Sequence, residues 1–223
     1  MTSRFRMKHD GLRTSAPEAS TTMRLMGAAT NAEPEYEWPR PPEGGYTADD
    51  LDRLPDLPPH TELIDGSLVF VSPQTKFHMR ALRMLERHFL RRAPPEVEVI
   101  REMTVTLGRA NRPEPDIMLV RAEAVTGPDQ TSYRPEDVIL AAEVVSPDSV
   151  DRDRDTKHRK YAAAGIRHFW RVENEGGRAV VYTFELEPAT LTYAPAGVYH
   201  DELKVTVPFP VDIDLSEVQA PNS

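Results

Sequence analysis

The sequence predicts an α/β fold: a central mixed sheet flanked by helices and finished by C-terminal β hairpins. Three stretches predict it. Residues 138–146, VILAAEVVS, are almost continuously apolar, the pattern of a strand covered on both faces. Residues 74–92 place Phe77, Ala81, Leu82, Leu85 and Phe89 at the three-to-four spacing of one helical face. The run after residue 146 reads helix, strand, turn, strand, with Gly165 and Gly176-Gly177 as punctuation.

Residues 1–45 mix Thr, Ser, Ala, Pro, Glu and Arg without a sustained period and end in EWPRPPEGG. Such a composition buries too little apolar area to offset the entropy of ordering, so a disordered arm is expected, with Met23 or Met26 as alternative starts. Thr47 then caps a short helix, with Asp50 at the capping-box position, until Pro55, Pro58 and Pro59 stop it. TELIDGSLVFVSP (61–73) reads as a hairpin turning at Asp65-Gly66. The helix over 74–92 ends at Pro94 and Pro95, and strands are expected over 97–108 and 115–120. A loop leads to the apolar strand at 138–146. The helix over 151–164 stops at Gly165, which suits a C-terminal cap. HFWRVE and AVVYTFEL are the next strands, and the last 30 residues form further hairpins with VPFPVDIDL as a Pro-punctuated edge. One folded domain over 46–218 with a flexible tail at 219–223 fits a length of 223 residues.

The chain has no cysteine, which excludes a disulfide framework, a thiolate metal site and a cysteine nucleophile. No apolar stretch approaches the roughly 20 residues of a membrane-spanning helix, so a soluble, cytoplasmic protein with no membrane partner is expected. The net charge of −9 argues against a protein that coats nucleic acid through bulk positive charge. It leaves room for an enzyme that touches a few phosphates. Arginines 80, 83, 87, 91 and 92 form one basic run, and Arg152, Arg154, Lys157, Arg159, Lys160, Arg167 and Arg171 a second; each reads first as a solvated helix face.

Phosphate-loop, dinucleotide and nucleophile-elbow motifs are missing, and no H-x-x-x-H pair offers a zinc site. Carboxylates and lysine remain. Asp116 opens one core strand after Pro115, Glu143 lies inside the next apolar strand, and Lys157 follows on the succeeding helix. Read alone, Asp116 is equally a turn residue, Glu143 could be half of a buried salt bridge, and Lys160 rivals Lys157 one turn away. Two carboxylates from neighbouring strands repel in a partly desolvated site unless a cation lies between them or one takes up a proton. Mg²⁺ or Mn²⁺ is the natural partner, because a hard ion takes oxygen ligands and leaves positions for water and phosphate oxygens. His78 shares a helix face with Leu82, Leu85 and Phe89 and reads as a hydrogen-bonded core histidine, a secondary candidate near the site.

The combination P-D at 115–116, E-V-V at 143–145, then RDRDTKHRKYAAAGIRHFWRV resembles the PD-(D/E)XK nuclease superfamily. With TELIDG, His78 and NRPEPDIMLV, the run over about 46–215 more closely resembles the Uma family of restriction endonucleases, catalogued as a domain of unknown function. The resemblance implies a restriction-endonuclease-like fold and hydrolysis of a nucleic-acid phosphodiester, with DNA the expected substrate. It implies metal ligation by Asp116 and Glu143, and adds Glu62 of ELIDG as a third metal-binding acid. The superfamily lysine two residues after the glutamate is replaced here by Val145, so the role passes to Lys157. A homodimer would set two sites on the two strands of a duplex. The rival readings are a catalytically inactive binding or assembly module on the same fold, and a carboxylate-based hydrolase of another substrate.

Overall fold

The computed structural model describes residues 40–219, so residues 1–39 of the arm expected over 1–45, and residues 220–223 of the tail expected over 219–223, lie outside the described residues. In chain order, a 3-10 turn over Ala48–Asp52 is followed by β1 (Glu62–Ile64), β2 (Ser67–Val69), α1 (Lys76–Arg92), β3 (Val97–Arg101), β4 (Thr104–Val105) and β5 (Ile117–Arg121). Then come β6 (Ser132–Tyr133), β7 (Val138–Val144), a π-helical turn over Arg152–Thr156, α2 (Lys157–Ala163), β8 (His168–Glu175) and β9 (Arg178–Glu187). β10 (Thr192–Tyr199), β11 (Glu202–Val205) and β12 (Val211–Asp214) lead to a final 3-10 turn, Leu215–Val218.

Six strands form the central sheet in the order β10-β9-β8-β7-β5-β3. β7 and β8 run parallel and the other pairs antiparallel, so the sheet is mixed, as the sequence predicts. Its two faces are covered separately. Leu82, Leu85 and Phe89 of α1 pack with Ile117, Leu119, Leu140, Ala142 and Trp170 and with residues of β11 and β12 on one face. Tyr161 and Ala162 of α2 pack with Met118, Val120, Ala141 and Phe169 on the other. β7 is buried along nearly its whole length because both layers press on it. Its alternation puts Glu143 on the α2 side, beside Ala141 in register.

Local chemistry accounts for the ends of these elements. Asp65 and Gly66 both have positive φ, 49° and 76°, as a two-residue type I′ hairpin turn demands. The Asp50 carboxylate accepts from the Thr47 N–H at 2.7 Å, completing the expected cap. Gly165 sits at φ 85° immediately after α2, where a residue with a Cβ would be strained.

Two elements differ from expectation. The strand expected over 97–108 breaks at Glu102, whose φ of 51° is left-handed and whose N–H donates to Asp116 O. Beyond the break, Thr104 and Val105 pair in parallel with Ser132 and Tyr133, inside a stretch that reads as loop. The helix expected over 151–164 begins as one wide π turn before becoming α-helical at Lys157, a distortion that recurs at functional sites.

Candidate active site

The antiparallel register of β5 and β7 sets Ile117 opposite Ala142, so Asp116 lies just beyond the pairing, level with Glu143. Pro115 holds Glu114 out of the helical region, and the chain enters β5 extended. Asp116 is fixed at both oxygens. Its Oδ2 accepts from Val144 N–H at 2.6 Å, and its Oδ1 accepts from His78 Nε2 at 2.9 Å. His78, in the first turn of α1 and buried, is thus both a hydrogen-bonded core histidine and a neighbour of Asp116.

Glu62 arrives from β1. Leu63 exchanges backbone hydrogen bonds with Arg112, which ties β1 to the segment leading into β5. Glu62 Oε1 then accepts from Glu114 N–H at 2.8 Å. Arg112 anchors this corner from below: its buried guanidinium grips Asp52 at 2.6 and 3.0 Å and reaches Ala48 O and Thr104 Oγ1.

Lys157 sits among acids. Its Nζ is 2.7 Å from Glu62 Oε1, 3.1 Å from Glu143 Oε2 and 3.6 Å from Asp153 Oδ1. Glu143 Oε1 accepts from Tyr161 Oη at 2.6 Å. Asp153, Lys157 and Tyr161 follow at four-residue steps, so one face of the π turn and α2 supplies all three. Lys160 points elsewhere, to Asp65 at 2.5 Å. Asp153 Oδ2 accepts from Ser149 Oγ, while its buried Oδ1 has no hydrogen-bond partner.

Glu62, His78, Asp116, Glu143, Asp153 and Lys157 line one pocket of about 280 Å³, and Tyr161 reaches Glu143 from outside its lining. Its walls carry six carboxylates, Glu62, Glu102, Glu114, Asp116, Glu143 and Asp153, against two permanent cations, Arg152 and Lys157, with His60 and His78 beside them. Burial pushes Glu143 well above the ordinary carboxylate range, against the pull of Lys157 and with the help of Asp153, Asp116 and Glu62. Burial likewise raises Asp153 and Glu114. For Lys157 burial works against the charge, and Glu143, Glu62 and Asp153 overcome it and hold the ammonium well above its usual value. Burial, and then Glu143, keep Tyr161 protonated and therefore a donor. One ammonium cannot balance three buried acids, so the cluster keeps a proton or takes up a cation.

All five residues named from the sequence, Glu62, His78, Asp116, Glu143 and Lys157, line this pocket. Asp153, Tyr161, Glu114 and Arg152 were not named for the site. The first two stand one turn either side of Lys157, a spacing that could have marked them. Arg152 donates from Nη1 to Asp148 O at 3.1 Å, and its buried Nε has no partner. Among the described residues, no helix is long and apolar enough to cross a membrane.

A family model described as Uma2, "Putative restriction endonuclease", matches residues 48–216. The crystal structure of a putative nuclease belonging to DUF820 from Anabaena variabilis is similar to this one, with a TM-score of 0.57 and 15% sequence identity. The match covers 77% of this chain and 96% of that chain, and at this identity it is a likeness of fold. No curated protein matches.

Proposed function

The chain belongs to the Uma2 family of putative restriction endonucleases, and on that premise we propose that it is a Mg²⁺- or Mn²⁺-dependent endonuclease that hydrolyses nucleic-acid phosphodiesters, DNA in particular. One observation carries this reading: six carboxylates and two permanent cations share one pocket. A surplus of buried negative charge is a site for a cation. Hard oxygen donors, among them an Asp153 oxygen that accepts no hydrogen bond and lies 3.6 Å from the Lys157 ammonium, suit a divalent ion. Among the described residues no three acids or imidazoles form a ready cage, and Mg²⁺ needs none, since one or two carboxylates and several waters suffice.

Of the expected ligands Asp116, Glu143 and Glu62, one or two would hold the ion directly, with waters in its other positions. When bound, it supplies an activated water and neutralises charge developing on the phosphate. The protein's own residues do the rest. His78 and the Val144 N–H hold Asp116 in a single orientation. Tyr161 does the same for Glu143. Lys157 stays protonated, so it serves as a charge stabiliser and not as a base. Arg152, the one cation of the pocket without a carboxylate partner among the described residues, offers free guanidinium donors to a phosphate oxygen.

The second reading, an inactive binding module, is favoured by the way Lys157 already ties Glu62, Glu143 and Asp153 together. Purified protein incubated with Mg²⁺ or Mn²⁺ and DNA or RNA separates the two. Cleavage by the wild type that is lost in Asp116→Ala and Glu143→Ala is expected. Cleavage surviving both substitutions, or none from the wild type with any substrate, would overturn the proposal.

A further inference from the structure

On the far side of the start of α1 lies a second hollow of about 370 Å³, lined by Lys76, Phe77 and Arg80 of α1, Arg178 and the Gly176-Gly177 turn of the β8-β9 hairpin, and the C-terminal Val218 and Gln219. Its charge is the reverse of the first pocket. Among the described residues, three cations line it and no carboxylate does. In a chain of net charge −9 that is a local field against the global one.

The usual neutralising partners are engaged elsewhere. Glu175, in the same hairpin, accepts from Tyr182 Oη at 2.9 Å. Glu217, next to Val218, is taken by Arg87 and by His88. Arg80 makes two long contacts, 3.4 Å from Nη1 to the carbonyls of Val218 and Gln219, and its buried Nε has no partner. Lys76 and Arg178 are exposed. A partly buried guanidinium with an unused donor, flanked by two cations that have no ion-pair partner among the described residues, is matched by an oxyanion that accepts several hydrogen bonds at once.

We propose that this basin binds a phosphate group of the nucleic-acid backbone, one to a few nucleotides away from the phosphate in the acidic pocket. The two pockets flank the start of α1, with Pro73 and Gln74 just before it and His78 in its first turn on the acidic pocket, and Lys76, Phe77 and Arg80 on the basin. A helix with its side chains is about 10 to 12 Å across, and successive phosphates of one duplex strand advance about 3.4 Å along the axis. A strand seated in the first pocket therefore reaches the second within a few nucleotides. This assignment rests on the nucleic-acid reading for the identity of the phosphate. It also resolves how an acidic protein holds a polyanion: contact is concentrated at a small basic patch beside the metal site.

The test is binding of a labelled oligonucleotide in Ca²⁺, which takes the same oxygen ligands as Mg²⁺, as a function of salt. Two double variants are compared with the wild type, Arg80→Gln/Arg178→Gln and Lys76→Gln/Arg178→Gln; the second leaves the Arg80 contacts to the C-terminal turn intact. Each is expected to bind about tenfold more weakly and to lower the slope of log affinity against log salt by about one to two, one unit per lost phosphate contact. Unchanged affinity and slope in both variants would overturn the assignment. So would inorganic phosphate binding that needs Arg178 while oligonucleotide binding ignores it, because the basin would then hold a free anion. Cleavage is read separately. A wild type that binds through the basin yet cuts nothing refutes the nuclease reading alone, and one that cuts with both variants binding normally refutes the basin alone.

Discussion

Lys157→Met removes the charge at the centre of the cluster and keeps most of the apolar stem. In the wild type the ammonium lies within 3.6 Å of three buried carboxylates, Glu62, Glu143 and Asp153, and is 5% exposed. Breaking a buried ion pair by deleting one partner costs about 3 to 5 kcal/mol, because the surviving charges are left desolvated and unpaired. That is a large part of the roughly 5 to 15 kcal/mol that holds an ordinary domain folded. For a domain of this size each kcal/mol moves the melting point by about 2 to 4 °C, so a fall of roughly 6 to 20 °C is expected. Urea denaturation near neutral pH, without metal, reads the free energy directly. The loss should shrink in acid, where the three carboxylates take up protons and no longer repel. Lys157→Met/Glu143→Gln should recover part of the loss at neutral pH, since it removes one orphaned charge. A single variant within about 0.5 kcal/mol of wild type, the range of ordinary surface substitutions, would refute the claim that Lys157 neutralises this cluster.

Tyr161→Phe strips the donor from Glu143 Oε1 and leaves a buried carboxylate oxygen unsatisfied; a loss of about 1 to 3 kcal/mol is expected in the same denaturation experiment. Arg112→Lys cannot keep the two-point grip on Asp52 together with the contacts to Ala48 O and Thr104 Oγ1, and should cost about 2 kcal/mol and loosen β1, read as faster amide exchange at Leu63. The pH dependence follows from the raised acids. Glu143, Asp153 and Glu114 bind protons more tightly folded than unfolded, so their contribution to metal-free stability is full below the ordinary carboxylate range and is lost as pH rises through their raised folded values. Lys157, raised as well, keeps its contribution until pH passes its ordinary lysine value. A divalent ion displaces those protons, so the increase in melting point on adding Mn²⁺ should grow as pH rises above the ordinary carboxylate range. An increase that is flat or declines with pH would contradict this.

Much of the frame was legible because it is local or periodic. The unbroken apolar run of β7 revealed a doubly covered strand, and that made Glu143 conspicuous. The one-sided spacing of α1, the Asp65-Gly66 turn and the Gly165 cap each follow from residues close in sequence. What could not be read is non-local or hidden in composition. Asp153 sits in a charged run, where an acid usually means solvent, and only its four-residue step to Lys157 hints at the shared buried face. Glu102 looks like a strand residue, and its left-handed backbone is imposed by the turn that hands its N–H to Asp116 O. The pairing of Thr104 and Val105 with Ser132 and Tyr133 joins segments with no pattern long enough to register. Arg112 precedes Pro113 and Pro115 in a stretch with no periodic pattern, yet six acceptor atoms from three segments surround its buried guanidinium.

If the surplus of carboxylates around Asp116 and Glu143 is a divalent-cation site, the protein binds the ion with no substrate present. Binding of Mn²⁺ in solution, followed by the loss of its free-ion paramagnetic resonance signal, tests it without any assumption about substrate. The wild type should take up the ion at a site that Asp116→Ala and Glu143→Ala each weaken by at least about tenfold, the scale on which lost metal-site groups act. A wild type that binds no more Mn²⁺ than the two variants would contradict it.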